Sequence, residues 1–227
     1  MFNGDFTVIY LTANLIPEKF AEFQRKTLVN AIGDAPIISI SRKPLDFGKN
    51  MLQTGPKCTD TIYREMLRGA ELAETPYIAI AEDDILYPEE HFSFFRPEKD
   101  VFAYNLNRFS LFTWGRPTYS WRNRKANATL IAPRNLMIAA LEERFTKYPE
   151  PIPDQLVGEL GRSRVEKNLK LTPRKSVEVF SNISVVQINH DVGSDEIVKK
   201  HKKALGPIQA YDIPYWGLAA ELVKKYE

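Results

Sequence analysis

The run YIAIAEDDILYP, from Tyr77 to Pro88, places three consecutive carboxylates, Glu82, Asp83 and Asp84, at the end of an almost wholly apolar stretch. An unpaired carboxylate in a low-dielectric interior costs several kcal/mol or takes up a proton instead, so a buried strand must stop where these residues begin. Two chemistries suit such a strand end. The carboxylates can cap a turn, for which Asp is a preferred residue. They can also offer oxygen ligands to a hard divalent cation, Mg²⁺ or Mn²⁺, which takes few protein carboxylates and leaves its other positions to water and phosphate.

The preceding chain supplies elements to position that tip. Phe6 to Ala13 is β-branched and aromatic, and reads as a strand. After Pro17, residues Phe20, Phe23, Thr27, Leu28 and Ile32 recur at helical spacing until Gly33 can close the helix. APIISISRKP reads as a second strand ending at Ser41 and Arg42, and FGKNMLQTGPK as a loop rich in turn residues. Ile62, Met66, Leu67, Ala70 and Ala73 then make an amphipathic helix before the third strand, YIAIAE. Strands joined by helical crossovers predict a parallel α/β sheet, in which ligands collect at the carboxyl ends of the strands. Thr12, Ala13, Asn14, Ser41 and Arg42 fall at the same rim as the acidic tip.

The second half reads as a mixed sheet added to the parallel one. VFAYNLNRFSLFTW is a long extended run, NATLIAPRN a shorter one leading into the helix RNLMIAALEERFTKY, and VEVFSNISVVQINH closes with strands. A short helix is expected after Pro153, and SDEIVKKHKKALG and YDIPYWGLAAELVKKYE form a charged segment and an aromatic-led tail. The expectation is one unit over 1–227, comprising a half from 1 to 98, a second from 99 to 195 and a tail from 196 to 227.

With 44% hydrophobic and 26% charged residues and a formal charge of +2, the 227-residue chain can bury a sizeable core, and its total charge argues for neither nucleic acid nor a membrane surface. A single cysteine, Cys58, excludes a disulfide framework and a thiolate zinc site. The start MFNGDFTVIYLTANLIPEKF lacks a basic region and a cleavage site, and its apolar run is short, so a soluble, cytoplasmic protein of a bacterial or phage-infected cell is expected, without a transmembrane segment.

FTVIYLTAN as first strand, YREMLRGAELAETPYIAIAEDDILYP as helix and acidic strand end, and the downstream mixed sheet together resemble the nucleotide-sugar glycosyltransferases of the GT-A fold, in particular small family 2-like forms of bacteria and phages. In that family the acidic tip carries a DxD-type motif, from which EDD departs by having Glu82 first. The resemblance implies an α/β, Rossmann-like, parallel and mixed sheet flanked by helices, a nucleotide-diphosphate sugar as donor, and Mn²⁺ or Mg²⁺ to neutralise the diphosphate leaving group. Asp84 is the first candidate ligand, with Glu82 and Asp83 beside it.

His190, after the strand in VQINH, is implied as a late metal or diphosphate ligand, with Asp191 as substitute. Asp154 in IPDQL stands where an inverting enzyme of this kind carries its base; as a residue beside a proline at a helix start, it is equally an ordinary cap. Thr12, Ala13 and Asn14 can flank the nucleotide, and Arg42, Lys57 and Arg64 can meet phosphate. In TWGRPTYSWRNRKANATL, the aromatics Trp114, Tyr119 and Trp121 can stack on an acceptor, with Arg116, Arg122, Arg124 and Lys125 among them, and Lys199 to Lys203 would favour a polyanion. The acceptor stays open among a hydroxymethylated base of phage-type DNA, a saccharide and a protein side chain. Two other readings keep the fold: a sugar-phosphate nucleotidyltransferase, against which LTANLIPEKF offers no glycine-rich phosphate loop, and a non-catalytic nucleotide- or carbohydrate-binding module.

Overall fold

The computed structural model describes residues 4–114, 118–121, 123–190 and 208–227. Arg116, Arg122, Asp191 and Lys199 to Lys203 lie outside the described residues.

The first strand, β1 (Phe6–Thr12), is buried along nearly its whole length because both of its faces are covered. Ile9 packs on one side among Tyr63, Met66, Ala70 and Ile78, while Val8 and Tyr10 pack on the other with Leu28, Ala79 and Tyr87. This is the burial that an apolar run such as FTVIYL demands of a central parallel strand. Helix α1 (Glu18–Ile32) crosses over to β2 (Ile37–Ser41), and α2 (Thr59–Leu72) crosses back to β4 (Tyr77–Glu82) on the other side of β1.

The segment expected to be a loop, FGKNMLQTGPK, instead contains an edge strand, β3 (Lys49–Leu52), parallel to β2. Its turn residues act before the strand rather than through it. Gly48 turns the chain with φ +63°, and Asn50 Nδ2 then donates to the Ser39 carbonyl at 3.3 Å and the Ser41 hydroxyl at 2.8 Å. Those bonds tie β3 to β2 and deliver Gln53, whose N–H donates to the Ser41 carbonyl at 2.8 Å, to the rim.

The long extended run VFAYNLNRFSLFTW is also divided. Its first part, β6 (Val101–Asn105), joins the sheet of β1; its second, β7 (Arg108–Phe112), belongs to another sheet. Asn105 and Asn107 hold the break, with Asn105 Oδ1 accepting the Asn107 N–H at 3.0 Å. The remaining strands follow as β5 (Ile85–Leu86), β8 (Thr118–Trp121), β9 (Leu130–Pro133), β10 (Lys175–Val179), β11 (Val185–Asn189) and β12 (Ile208–Gln209).

Among the described residues the main sheet has the order β10-β6-β9-β4-β1-β2-β3, mostly parallel with β9 reversed against both neighbours. A second sheet runs β12-β8-β7-β11-β5. Helix α4 (Arg134–Lys147) packs beside α2, and α3 (Glu89–Ser93) beside α1. After Pro153 there is a turn at 154–156 rather than a helix, and the helix α5 begins later, over Ser163–Asn168. The tail makes a hairpin, β13 (Asp212–Ile213) with β14 (Gly217–Leu218), and a helix, α6 (Ala219–Tyr226), which packs on the second sheet and α1. No described helix is long and apolar enough to cross a membrane.

A Cβ added at Gly48 would lie 2.4 Å from the Ile37 carbonyl oxygen, in a backbone conformation that L side chains resist. Gly48→Ala should lower stability by about 1–3 kcal/mol, read as a lower urea midpoint. An unchanged midpoint would mean that this turn does not hold β3.

Candidate functional site

A cleft of about 200 Å³ opens at the carboxyl ends of β4, β1, β2 and β3. Leu11, Ala13, Leu15, Ile16, Ile40 and Ile62 give it apolar walls. Glu82, Asp83, Asp84 and His190 line one part of it, and Gln53, Lys57 and Glu65 also reach it. Ligand pockets for drug-sized molecules usually run roughly 300–1,000 Å³, so a larger ligand would lie partly over the open rim.

The acidic turn is anchored from behind by neutral groups. Tyr10 Oη donates to Gln24 Oε1 at 3.1 Å, which aims the amide so that Gln24 Nε2 donates to the carbonyls of Glu82, at 3.2 Å, and Ile85, at 2.9 Å. Tyr87 Oη accepts the Glu82 N–H at 3.0 Å and donates to the Ala128 carbonyl at 2.9 Å. With its backbone held this way, the turn places Glu82, Asp83 and Asp84 along the cleft.

Each carboxylate has a different environment. Burial, then the charges of Asp84 and Asp83, push Glu82 up to about 8. Burial and the Asp84 charge push Asp83 up to about 7, against the Thr12 hydroxyl, which donates to Asp83 Oδ2 and favours the charged form. Asp84 Oδ2 accepts from Gln187 Nε2 at 3.2 Å and stands 4.0 Å from His190 Nε2. The His190 ring in turn stacks on Tyr226 of α6, with centroids 5.5 Å apart and planes 19° apart.

Carboxylate oxygens and an imidazole nitrogen are donor types that divalent cations accept. Among the described residues no group of three or more His, Cys, Asp and Glu side chains is arranged around a common point. Asp84 and His190 nonetheless face one cleft, 4.0 Å apart, and two ligands each about 2.1 Å from one ion can be up to roughly 4.2 Å apart. An ion held by two protein side chains keeps its other positions for water and phosphate.

The expected nucleotide residues divide in two. Thr12, Ala13 and Lys57 line the cleft with Glu82, Asp83, Asp84 and His190. Asn14 stands just beyond β1 with φ +52°, a conformation that Asn tolerates, and its Oδ1 accepts the N–H groups of Arg42 and Lys43, both at 2.9 Å. Arg42 is thus tied to the rim by its backbone. Arg64 is turned away: its Nε donates to Asp60 at 2.7 Å, its Nη2 to the carbonyls of Tyr148 and Glu150, and its guanidinium covers the Phe145 ring.

Asp154 is not among the residues lining the cleft. Its Oδ1 accepts the Thr59 N–H at 3.1 Å, one of the donors left over at the start of α2. The three aromatics are not brought together either. The Thr113 N–H donates to the Asn189 carbonyl, which places Trp114 just beyond the end of β7 that adjoins His190. Tyr119 lies opposite Leu111 and packs on Phe109, while Trp121 lies opposite Phe109 and donates its indole N–H to the Leu106 carbonyl at the other end of β7.

Sequence reasoning passed over four side chains that the structure brings to this site. Gln24 and Gln187 hold the acidic turn, and Glu65 Oε1 accepts the Thr54 N–H beside Gln53. Gln53 lines the cleft, and its buried Oε1 has no hydrogen-bond partner among the described residues. Only Gln24 left a trace in the sequence, as a polar residue on the inner face of an otherwise apolar helix stripe.

No protein-family model matches the sequence, and no curated protein matches it. Among solved structures, the chain is similar to the bifunctional IspDF of Campylobacter jejuni, with 11% identity over 90% of this chain and 55% of that one and a TM-score of 0.44. It is also similar to the inositol-1-phosphate CTP transferase of T. maritima, at 12% identity, 90% and 98% coverage and a TM-score of 0.47, and to the glycosyltransferase GlyE of Streptococcus pneumoniae, at 11%, 78%, 46% and 0.43. The chain spans about half the length of the first and the last of these.

The raised Glu82 and Asp83 have a consequence for stability. Between about pH 4 and pH 8 the folded protein keeps protons that the unfolded chain releases, so their contribution is complete at the acid end of that window and is lost as pH rises through it. Glu82→Gln should therefore gain thermal stability relative to the unsubstituted protein at pH 8.5 and gain little at pH 5. Equal differences at the two pH values would contradict the proton-holding turn.

Proposed function

We propose that the protein is a glycosyltransferase that binds a nucleotide-diphosphate sugar along the rim from Gln53 to Asp84 and transfers the sugar to a hydroxyl acceptor. The observation that carries this reading is the order of groups along the rim. Glu82 pairs with Leu11, Thr12 with Ser41, and Ser41 with Leu52, which Gln53 follows. Gln53 thus stands three strand spacings from Glu82, about 14 Å at about 4.8 Å per strand. That is the scale of an extended nucleoside diphosphate.

The chemistry of the two ends matches the two ends of such a ligand. At the Gln53 end, apolar walls suit the faces of a base, and the buried Oε1 acceptor suits a base N–H. At the acidic end a diphosphate would face Glu82, Asp83 and Asp84, and like charges so close repel. A divalent cation, Mn²⁺ or Mg²⁺, would relieve that repulsion and stabilise the negative charge that develops on the leaving diphosphate. Asp84 and His190 would hold it, and Lys57 would add a positive charge at the rim. Thr12 keeps the Asp83 carboxylate turned to one side through its hydroxyl. In the same reading Asp154 would serve as acceptor base only by giving up the Thr59 N–H, and Trp114, beside His190, is the aromatic best placed to meet an acceptor.

A ligand that binds only the folded state raises its stability, by about 2.7 kcal/mol at 100 times Kd. A thermal-shift panel of UDP-, GDP-, TDP- and CDP-sugars, each with and without Mn²⁺, should show a shift that needs one nucleotide and the metal together. Asp84→Asn should remove the metal-dependent part. Absence of any shift across the panel would sink the donor-site reading, and a shift without sugar transfer to any hydroxyl acceptor would favour a binding module. In the same assay Gln53→Leu should weaken nucleotide binding by about tenfold, the equivalent of about 1.4 kcal/mol; unchanged affinity would move the base elsewhere.

A further inference from the structure

Behind Asp84 runs a chain of two hydrogen bonds that begins at a buried cation. Arg108 on β7 is 3% exposed, and its Nη1 donates to Gln187 Oε1 on the neighbouring strand β11. Gln187 Nε2 then donates to Asp84 Oδ2 at 3.2 Å. In the parallel register Arg108 lies opposite Val185 and Ser110 opposite Gln187, so the Arg108 and Gln187 side chains share a sheet face as diagonal neighbours. On the other side of β11, Ile85 of β5 lies opposite Gln187, which brings the acidic turn alongside.

The orientation of the amide is fully determined by its partners. A guanidinium only donates and an ionised carboxylate only accepts, so the oxygen of Gln187 must face Arg108 and its NH₂ must face Asp84. The residue type is determined as well. A glutamate here would accept from Arg108 but repel Asp84, and an apolar side chain would leave a buried guanidinium N–H and a carboxylate oxygen without their shared partner.

We propose that Gln187 is a positioning residue of the cation subsite: oriented by Arg108, it holds the Asp84 carboxylate toward His190, at the 4.0 Å separation at which the two can share a divalent ion. The proposal rests on the reading above that a cation binds at the Asp84 end of the cleft. His190 follows Gln187 by three residues at the end of β11, so the strand that aims the carboxylate also carries the second donor. Outer partners of this kind typically govern metal affinity by 10–100-fold, because they set the direction of the ligand before the ion arrives.

The test is a Mn²⁺ titration of the full chain, followed by the electron paramagnetic resonance signal of free Mn²⁺, without nucleotide and well below the melting temperature. Gln187→Met should bind Mn²⁺ 10–100-fold more weakly than the unsubstituted protein. A purely structural role would lower the melting temperature and leave the affinity of the folded protein unchanged. Because Gln187→Met takes one acceptor from the buried Arg108, the double variant Arg108→Met with Gln187→Met, which removes that charge as well, is titrated in the same way. If the unsubstituted protein binds Mn²⁺ and the folded variants match it within twofold, the positioning role is overturned while the cation subsite stands. If the unsubstituted protein does not bind Mn²⁺, the cation subsite itself is overturned and Gln187 has nothing to position.

Discussion

Mutual repulsion among three adjacent carboxylates is the constraint around which this structure is arranged. Glu82, Asp83 and Asp84 cannot all be charged, close together and dry without a cation or a proton among them, and each answer leaves a mark on the surrounding fold. The raised Glu82 and Asp83 record the proton answer. The neutral anchors behind the turn, Gln24 and Tyr87, record a second requirement. Because they bind backbone and not carboxylate, they fix the turn and leave its carboxyl groups to the cleft.

Such an arrangement also explains the polarity of the rim. Next to the acidic turn the walls are apolar, and basic residues of α1 and α2 have carboxylate partners of their own: Arg64 with Asp60, Arg68 with Glu65, and Arg25 with Glu18, although the Arg25 charge also favours the ionised form of Asp83. Guanidiniums turned into the cleft would pair with the carboxylates there. Lys57 lines the cleft from the rim, and Arg108 acts from within, separated from Asp84 by an uncharged amide. A neutral amide between a buried cation and an anion keeps the anion aimed, and the Arg108 charge also reaches Glu82, whose charged form it favours.

The sequence made the parallel core, the two crossover helices and the acidic strand end legible, because each is written locally: apolar runs, helical spacing and an abrupt change to charge. It did not reveal β3, since the short, partly polar KNML pairs by virtue of a turn at Gly48 and side-chain bonds from Asn50, neither of which has a periodic signature. The run from Val101 to Trp114 read as one element because propensity cannot report that a strand leaves one sheet and enters another. At the site, the charged residues stood out and the glutamines did not. Asp84 and Gln187 are 103 positions apart, and an amide that matters only for what it touches carries no mark in a single chain. Arg64 and Asp154 show the converse: their residue types suited phosphate binding and proton transfer, but each has a nearer partner, in Asp60 and the Thr59 N–H.

The acidic turn also joins the two sheets. Glu82 belongs to β4, in register with Leu11 of the main sheet, whereas the Asp84 carbonyl accepts the Ile188 N–H of the second sheet at 2.8 Å. The first and third carboxylates therefore hang from backbone bonded to different sheets, although they are only two residues apart. Covalent geometry keeps that distance short, so the tripeptide acts as a rivet that holds the two sheets together at the rim.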